Sequence, residues 1–428
     1  MARRRGRQAP PLRPRLPRAR GLRRGDRLGP PGSGPARGTA VKLLVVAGEV
    51  SGDQHASALL AELARLDPSL TSVGVGGDGC LAAGTRLLAH QKDLAVVGIV
   101  EALSKVRFAR RLAGRLVEAA VSEAVDAAVL IDSPDFNLPL ARKLSRRGVP
   151  VVFYVSPQVW AWRSRRARKI VARGRALLVL FRFEKRWYDE RGLGGTVWWV
   201  GHPLVDAAAR ELSEPAPQPA PGRRRVVVMP GSRKGEIERL LPPMRDGLLR
   251  LLARRSDVDV VLVRADSVPD GLLREIGGPA VDAWQVVSGP HLSLLAASDV
   301  LLVASGTATV EGLLARVPMV VVYRVNRISY WIGKAVVKVP WIAMANLLTR
   351  REGEGPAVPE LVQDEATPER IAAEVEAFLD RPELSARCRE RLSEGAVELG
   401  EPGAARRAAE ALLRALGRGA PERDGVRP

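Results

Sequence analysis

Six short stretches of this 428-residue chain combine small, polar and charged residues in ways that suit chemistry on a phosphate or a sugar. Met229–Gly235 (MPGSRKG) follows an aliphatic run and precedes a helical pattern. Pro and Gly allow a tight turn, and the amides at the helix start, aided by the helix dipole, attract an anion. Ser232 adds a hydroxyl and Arg233 a charge-assisted bond to phosphate. A helix cap with a solvated Arg is the plainer reading. Ala304–Glu311 (ASGTATVE) repeats the design. Ser305, Gly306 and Thr307 can present amides and hydroxyls to a diphosphate, and Thr307 can cap the helix. Glu311 can accept bonds from a ribose diol, as an acid does in dinucleotide sites. Simple capping with dipole compensation would leave the same pattern.

Ile131–Asn137 (IDSPDFN) puts Asp132 and Asp135 at a strand end, where one carboxylate can take a proton from an attacking hydroxyl. An Asx-turn or a cap by Asp135 or Asn137 competes with that reading. The stretch also resembles a DxD-like metal site, but two acids without a nearby His or third acid are a weak ligand set. Gly48–Asp53 (GEVSGD) lacks the spacing of a dinucleotide loop. Its glycines permit close backbone approach. Glu49 and Asp53 would repel phosphate, so a sugar hydroxyl is the better match, with Glu49 and Ser51 as contacts, against a plain strand–helix turn. Tyr154–Arg163 (YVSPQVWAWR) gives Trp160 and Trp162 the same parity. If extended, both share a face that suits a sugar or acyl chain, with Arg163 near a phosphate; core packing is the alternative. In Gly201–Asp206 (GHPLVD), His202 follows a strand and reads as a hinge or packing residue before a base.

These loops need elements to hold them. Val41–Ala47 is a compact aliphatic run, Gly48–Asp53 a loop and His55–Leu66 a helix. The rhythm continues with strands at Ser72–Val75, Ala127–Ile131, Pro150–Val155, Leu177–Leu180 and Val197–Val200. The Pro-rich stretch at 211–224 breaks it and reads as a linker. Strands then recur at Val226–Met229, Val258–Val263, Val300–Val303 and Met319–Tyr323, with helices at Glu236–Leu252, Ala308–Ala315, Pro368–Leu379 and Ala404–Leu416. Continuous apolar strands alternating with helices imply parallel sheets covered on both faces. The expectation is an α/β fold of two Rossmann-like lobes, 41–210 and 225–380, facing a cleft, with C-terminal helices and a tail over 381–428.

Composition narrows the partners. Of a net charge of +20, residues 1–40 carry +11, from twelve Arg against Asp26. That arm has nothing to bury and reads as a disordered basic extension, as residues upstream of the true start, or as a tether. It has no apolar segment of the secretory kind. The remaining body is moderately basic, which favours phosphates or an acidic lipid surface. Cys80 and Cys388 form no ligand motif, and four scattered His give no multi-His metal set. A reducing cytoplasm is expected. No apolar run reaches the ~18 residues of a spanning helix.

The order AGEVSGD, VGIVEAL (97–103), IDSPDFN, YVSPQVWAWR, FRFEKRWYD (181–189), GHPLVD, PGSRKGEIERL, ASGTATVE and ANLLT (345–349) resembles the lipid-A-disaccharide synthase family. The likeness covers Val41 to Leu379, with weaker support to Leu416. It implies a glycosyltransferase-B fold and transfer of 2,3-diacylglucosamine from its UDP-linked donor to 2,3-diacylglucosamine 1-phosphate (lipid X). The product is a β-1′,6 disaccharide 1-phosphate, with inversion of the α-linked donor, no metal and no cofactor. It further implies that Asp132 activates the acceptor hydroxyl and Arg233 offsets charge on the leaving UDP. Ser232, Ser305, Gly306, Thr307 and Glu311 would hold the nucleotide, with Asn346 of ANLLT a lesser candidate. The family acts at the cytoplasmic face of the Gram-negative inner membrane.

Residues 1–40, SPQ in place of SPS, and FRFE in place of an LPFE-like sequence depart from the family pattern. Leu103–Val117 mixes apolar and basic residues and can lie on anionic lipid with its apolar side inserted, or pack on its own lobe as a solvated helix. A homodimer is left open. Two rivals remain at this point: another two-lobed UDP-sugar enzyme, such as an epimerase or a transferase with a soluble acceptor, and a nucleic-acid binder suggested by the Arg-rich arm. Against the second, the body shows no nucleic-acid motif.

Overall fold

The computed structural model describes residues 40–95, 102–162, 164–326, 330 and 339–418. The basic arm before residue 40, Arg163, residues 97–101 of VGIVEAL and the last ten residues lie outside them.

The aliphatic runs pair as two all-parallel sheets. The first holds β1 (Lys42–Ala47), β2 (Thr71–Gly76), β3 (Arg86–His90), β4 (Ala127–Ile131), β5 (Val151–Tyr154), β6 (Ala176–Val179) and β7 (Val197–Trp199) in the order β3-β2-β1-β4-β5-β6-β7. The second holds β8 (Arg224–Met229), β9 (Val258–Arg264), β10 (Gln285–Ser288), β11 (Val300–Ala304), β12 (Met319–Tyr323) and β13 (Glu360–Val362) in the order β10-β9-β8-β11-β12-β13. Central strands such as β4 (AAVLI) and β11 (VLLVA) are buried at every position. Helices cover both faces, so these strands read as unbroken apolar runs. The strands absent from the sequence reading, β3, β10 and β13, are all edge strands with partly exposed residues, which blurs the apolar signal.

Three local expectations change. The helix after β1 starts at Val50, not His55, so Ser51 and Asp53 belong to its first turn. The helix Ala102–Ser122 spends its apolar side inward: Leu112, Leu116 and Val117 are buried in the core. Its outer face carries Arg107, Arg110, Arg111 and Arg115, with Phe108 38% exposed. Among the described side chains of this helix, most of the apolar ones pack inward, and Phe108 is among those left exposed. Finally, the C-terminal helices divide. Pro382–Ala396 packs on the helix Thr307–Leu314 of the second lobe, whereas Ala404–Ala415 returns to the helix Val50–Leu66 of the first.

That return is pinned by GHPLVD. The Asp206 carboxylate accepts the Gly403 amide, the His202 amide donates to Leu399 O at 2.8 Å, and Arg407 Nε donates to Val200 O at 2.9 Å. His202 is buried here, in keeping with the packing reading of this motif. Among the described residues, no helix is long and apolar enough to cross a membrane.

Candidate active site

In an open parallel sheet, ligands bind beyond the carboxyl ends of the strands where the order reverses. The first sheet reverses between β1 and β4, the second between β8 and β11. Glu49 follows β1, Asp132 follows β4, Arg233 lies in the loop after β8, and Ser305–Thr307 follow β11. The four loops singled out by residue type therefore leave the four strands that flank the two switch points.

Backbone geometry at the first switch point is tight. A Cβ on Gly48 would lie 2.8 Å from Ser133 Oγ and 3.3 Å from its Cβ, so a larger residue there would have to displace the Ser133 side chain. Asp132 (φ 49°) and Ser133 (φ 43°) are both left-handed, a conformation that non-glycine residues adopt only when the surroundings enforce it. Asn137 supplies part of that enforcement: its Nδ2 donates to Ile131 O at 3.1 Å and to Asp132 O at 2.8 Å. Asn137 thus braces the strand end and does not cap the helix. Asp135 sits exposed in the first helical turn, and its carboxylate accepts no hydrogen bond from the described residues.

Electrostatics join the lobes. Arg233 donates to Glu49 Oε2 at 2.9 Å across the cleft. Burial, and then the nearby charge of Glu49, raise the Asp132 carboxyl above its ordinary pKa, while the Ser133 amide and Arg233 partly oppose them. In the same loop, the Ser232 amide donates to Glu236 Oε2 at 3.1 Å. Two carboxylates thus occupy the guanidinium and the amide expected from the sequence to meet an anion. Ser232, Arg233 and Lys234 also line a hollow of about 690 Å³ with the 267–275 segment.

A second cavity, of about 380 Å³, is walled by both lobes. Ser51, His55, Asp132, Asp135, Trp162, Arg166 and His202 come from the first; Gly306, Thr307 and Met344 come from the second. Gly306 is the residue before the helix Thr307–Leu314, and its φ of 146° favours glycine. Thr307 does not cap this helix; Thr309 Oγ1 donates to Gly306 O instead, which leaves the Thr307 side chain on the cavity wall. Ser305 Oγ reaches Ile342 O at 3.4 Å. Glu311 stands 3.5 Å from His291 Nε2. Burial opposes charge on His291, but Glu311, the Gly289 carbonyl and Glu211 together outweigh it and lift the imidazole above its ordinary pKa.

Other expected contacts are committed elsewhere. Trp160 and Trp162 share no face, because 158–162 is a succession of bends and turns, not a strand. Trp160 Nε1 donates to Glu184 Oε1 at 3.1 Å and its ring packs edge-on against Phe183, whereas Trp162 lines the cavity. Asn346 is fully buried: it donates to Val358 O and Glu360 Oε1 and accepts the Val358 amide. Glu360 in turn accepts the amides of Ile342 and Ala343. Asn346 therefore supports the cavity wall from behind. Asp53 accepts the amides of Gly77, Gly79 and Cys80, which, with the Cys80 thiol, overcome its burial and hold its pKa low. Its carboxylate is buried and committed to these amides.

Residue type and spacing did not single out His55 or Arg166, and Glu184 entered only as part of FRFEKRWYD. His55 lies inside a helix, and Arg166 lies in a run of arginines with exposed neighbours. Burial pushes His55 down to about 4, and burial together with His55 takes His202 to about 3, so both line the cavity as neutral imidazoles. Glu184 turns back on its own helix to accept the amides of Leu180 and Phe181; burial pushes its carboxyl up to about 7. Among the described residues, no three His, Cys, Asp or Glu side chains cluster as metal ligands.

Comparison with known proteins agrees with this geometry. A family model for lipid-A-disaccharide synthetase matches residues 43–415. The chain is 41% identical over 391 residues to the lipid-A-disaccharide synthase of Myxococcus xanthus, covering 88% of this chain and 97% of that one. To the Geobacter sulfurreducens enzyme it is 37% identical over 384 residues, covering 89% and 98%. Among solved structures, it resembles a Neisseria meningitidis UDP-GlcNAc 2-epimerase bound to UDP-GlcNAc (TM-score 0.59, 11% identity, 87% of this chain and 100% of that one). It also resembles the calicheamicin glycosyltransferase CalG4 (TM-score 0.57, 18% identity, 89% and 100%). At such identities the structures speak for the two-lobed glycosyltransferase-B fold alone. With the family match spanning nearly all of both lobes, the chain belongs to the lipid-A-disaccharide synthase family, the glycosyltransferases that form the lipid A disaccharide.

Proposed function

We propose that the chain transfers 2,3-diacylglucosamine from its UDP-linked donor to the 6-hydroxyl of 2,3-diacylglucosamine 1-phosphate. One observation carries the assignment of roles: Asp132 and the 306–307 turn, from opposite lobes, line one cavity. The acceptor rests on the first lobe. Asp132, its basicity raised by burial and Glu49, takes the hydroxyl proton as the oxygen attacks the anomeric carbon. The bond from that carbon to the diphosphate breaks, UDP departs, and attack from the opposite face inverts the centre. Arg233, with Ser232 and the amides and hydroxyls of Ser305, Gly306 and Thr307, offsets the charge that grows on the leaving group. Glu311 meets the ribose. Glu49 and Ser51 meet the sugars, and Glu49 must yield Arg233 when the diphosphate arrives.

Acylated substrates call for access from a membrane surface. The exposed Arg107, Arg110 and Arg111, with Phe108, supply an electrostatic contact with anionic lipid at the cytoplasmic face. The neighbouring helix Pro134–Arg146 adds exposed Arg142, Lys143 and Arg146. Likeness to epimerases, at 11–13% identity, argues no epimerase activity.

The experiment is product identification by mass spectrometry with purified protein and defined acylated substrates. The tetraacyl disaccharide 1-phosphate with stoichiometric UDP is expected. Turnover of unacylated acceptors alone would overturn the proposal.

A further inference from the structure

We infer that Arg166 is a specificity-determining residue that recognises the phosphomonoester of the acceptor; this rests on the reaction proposed above. Among the described residues that wall the 380 Å³ cavity, Arg166 is the one permanent cation. Its guanidinium makes no hydrogen bond or ion pair with another described residue. Its neighbours Arg165, Arg168 and Lys169 are exposed, while Arg166 is half-buried toward the cavity.

The other ionisable groups of the wall sharpen the argument. Asp132 and Asp135 are acids, and His55 and His202 are held neutral by burial. A phosphorylated acceptor entering that space meets two carboxylates. Without a cation the cavity would reject the acceptor's dianion more strongly than it would a neutral sugar. A guanidinium offers a planar pair of donors that matches phosphate oxygens, and Gln158 on the same cavity wall supplies a neutral amide. Arg166 stands on the first lobe, in the short turn Ser164–Arg166, with Asp132 and Trp162. The anion-binding loops for the donor are on the second lobe and have their own cation in Arg233. Two anions are thus met by two arginines, one per lobe.

The test compares two acceptors, 2,3-diacylglucosamine 1-phosphate and the same lipid without phosphate, with wild type and the variants Arg166→Gln, Arg166→Lys and Arg165→Gln. Loss of one charge-assisted contact predicts a rise of about tenfold to a hundredfold in KM for the phosphorylated acceptor with Arg166→Gln. Its kcat and donor KM should stay within about twofold, Arg166→Lys should recover part of the loss, and Arg165→Gln should match wild type. With the dephosphorylated acceptor, wild type and Arg166→Gln should be equally poor. An equal KM rise for both acceptors, or a rise in donor KM instead, overturns the assignment and points to a packing role or to the donor diphosphate. If wild type turns over neither acceptor, the reaction itself is misassigned, a failure separate from that of Arg166.

Discussion

Replacing Glu49 by Gln isolates the ion pair that spans the cleft. The pair is short at 2.9 Å, but the Arg233 side chain is 76% exposed and that of Glu49 42% exposed. Solvent screening limits such a pair to about 0.2–1 kcal/mol. Glu49→Gln frees Arg233 from this competition, so the Kd for UDP should fall by about 1.4-fold to fivefold. The gain should vanish in high salt, where surface charges are screened. A second effect has the opposite origin. Glu49 is, after burial, the main influence raising the Asp132 pKa. Removing its charge lowers that pKa, so the acid limb of the pH profile of kcat/KM should move to lower pH while burial keeps part of the elevation. Titration calorimetry with UDP and a pH–rate series with saturating donor read the two effects separately. Weaker UDP binding would mean that Glu49 organises the nucleotide site instead of competing for it. An acid limb that stays put or moves up would remove either Asp132 or its coupling to Glu49 from the reasoning.

Asp132→Asn should lower turnover by about 10²- to 10⁴-fold with UDP affinity little changed, and Arg233→Ala should weaken UDP binding and slow transfer together; stopped-flow and calorimetry separate the two patterns. Equal loss of turnover and affinity in Asp132→Asn would take Asp132 out of the base role. Glu184 has a folded-state pKa of about 7, above its ordinary value, so its protonated form favours the folded state and that contribution fades as pH rises from about 4.5 through about 7. Wild type should therefore lose stability relative to Glu184→Gln across that window in urea titrations, and a constant difference would refute the burial argument. Asn346→Ala leaves the Val358 amide and carbonyl and the Glu360 carboxylate short of partners, at a cost of about 1–3 kcal/mol in chemical denaturation. A stable variant with lost UDP affinity would instead make Asn346 a direct ligand.

The chemistry-bearing loops were legible because their residue types are demanded locally. A strand end suited to an anion favours small residues with free amides, as in both MPGSRKG and ASGTATVE, and MPGSRKG adds cations in Arg233 and Lys234. The central strands were equally plain, since burial on both faces permits only apolar side chains at β4 and β11. Trp160, Asn346 and Asp53 have partners that the local pattern did not show, for a common reason. Each lies in a motif near the site, but its partner is far off in sequence: Glu184 for Trp160, Val358 and Glu360 for Asn346, and Gly77 to Cys80 for Asp53. Local pattern shows that a polar residue needs a partner, not which distant group supplies it.

By itself the sequence determined the α/β lobes, the loops at their strand ends and the family, because local backbone geometry and hydrophobic burial leave their mark residue by residue. Only tertiary structure decided that β1 neighbours β4 and β8 neighbours β11, which gathers Glu49, Asp132, Arg233 and Gly306 around one cleft. It also decided that the last helix returns to the first lobe, that Glu49 holds Arg233, and that Arg166 faces a cavity while its neighbours face water. Strand order and long-range charge pairing arise from how whole layers stack, and no window of adjacent residues carries that information.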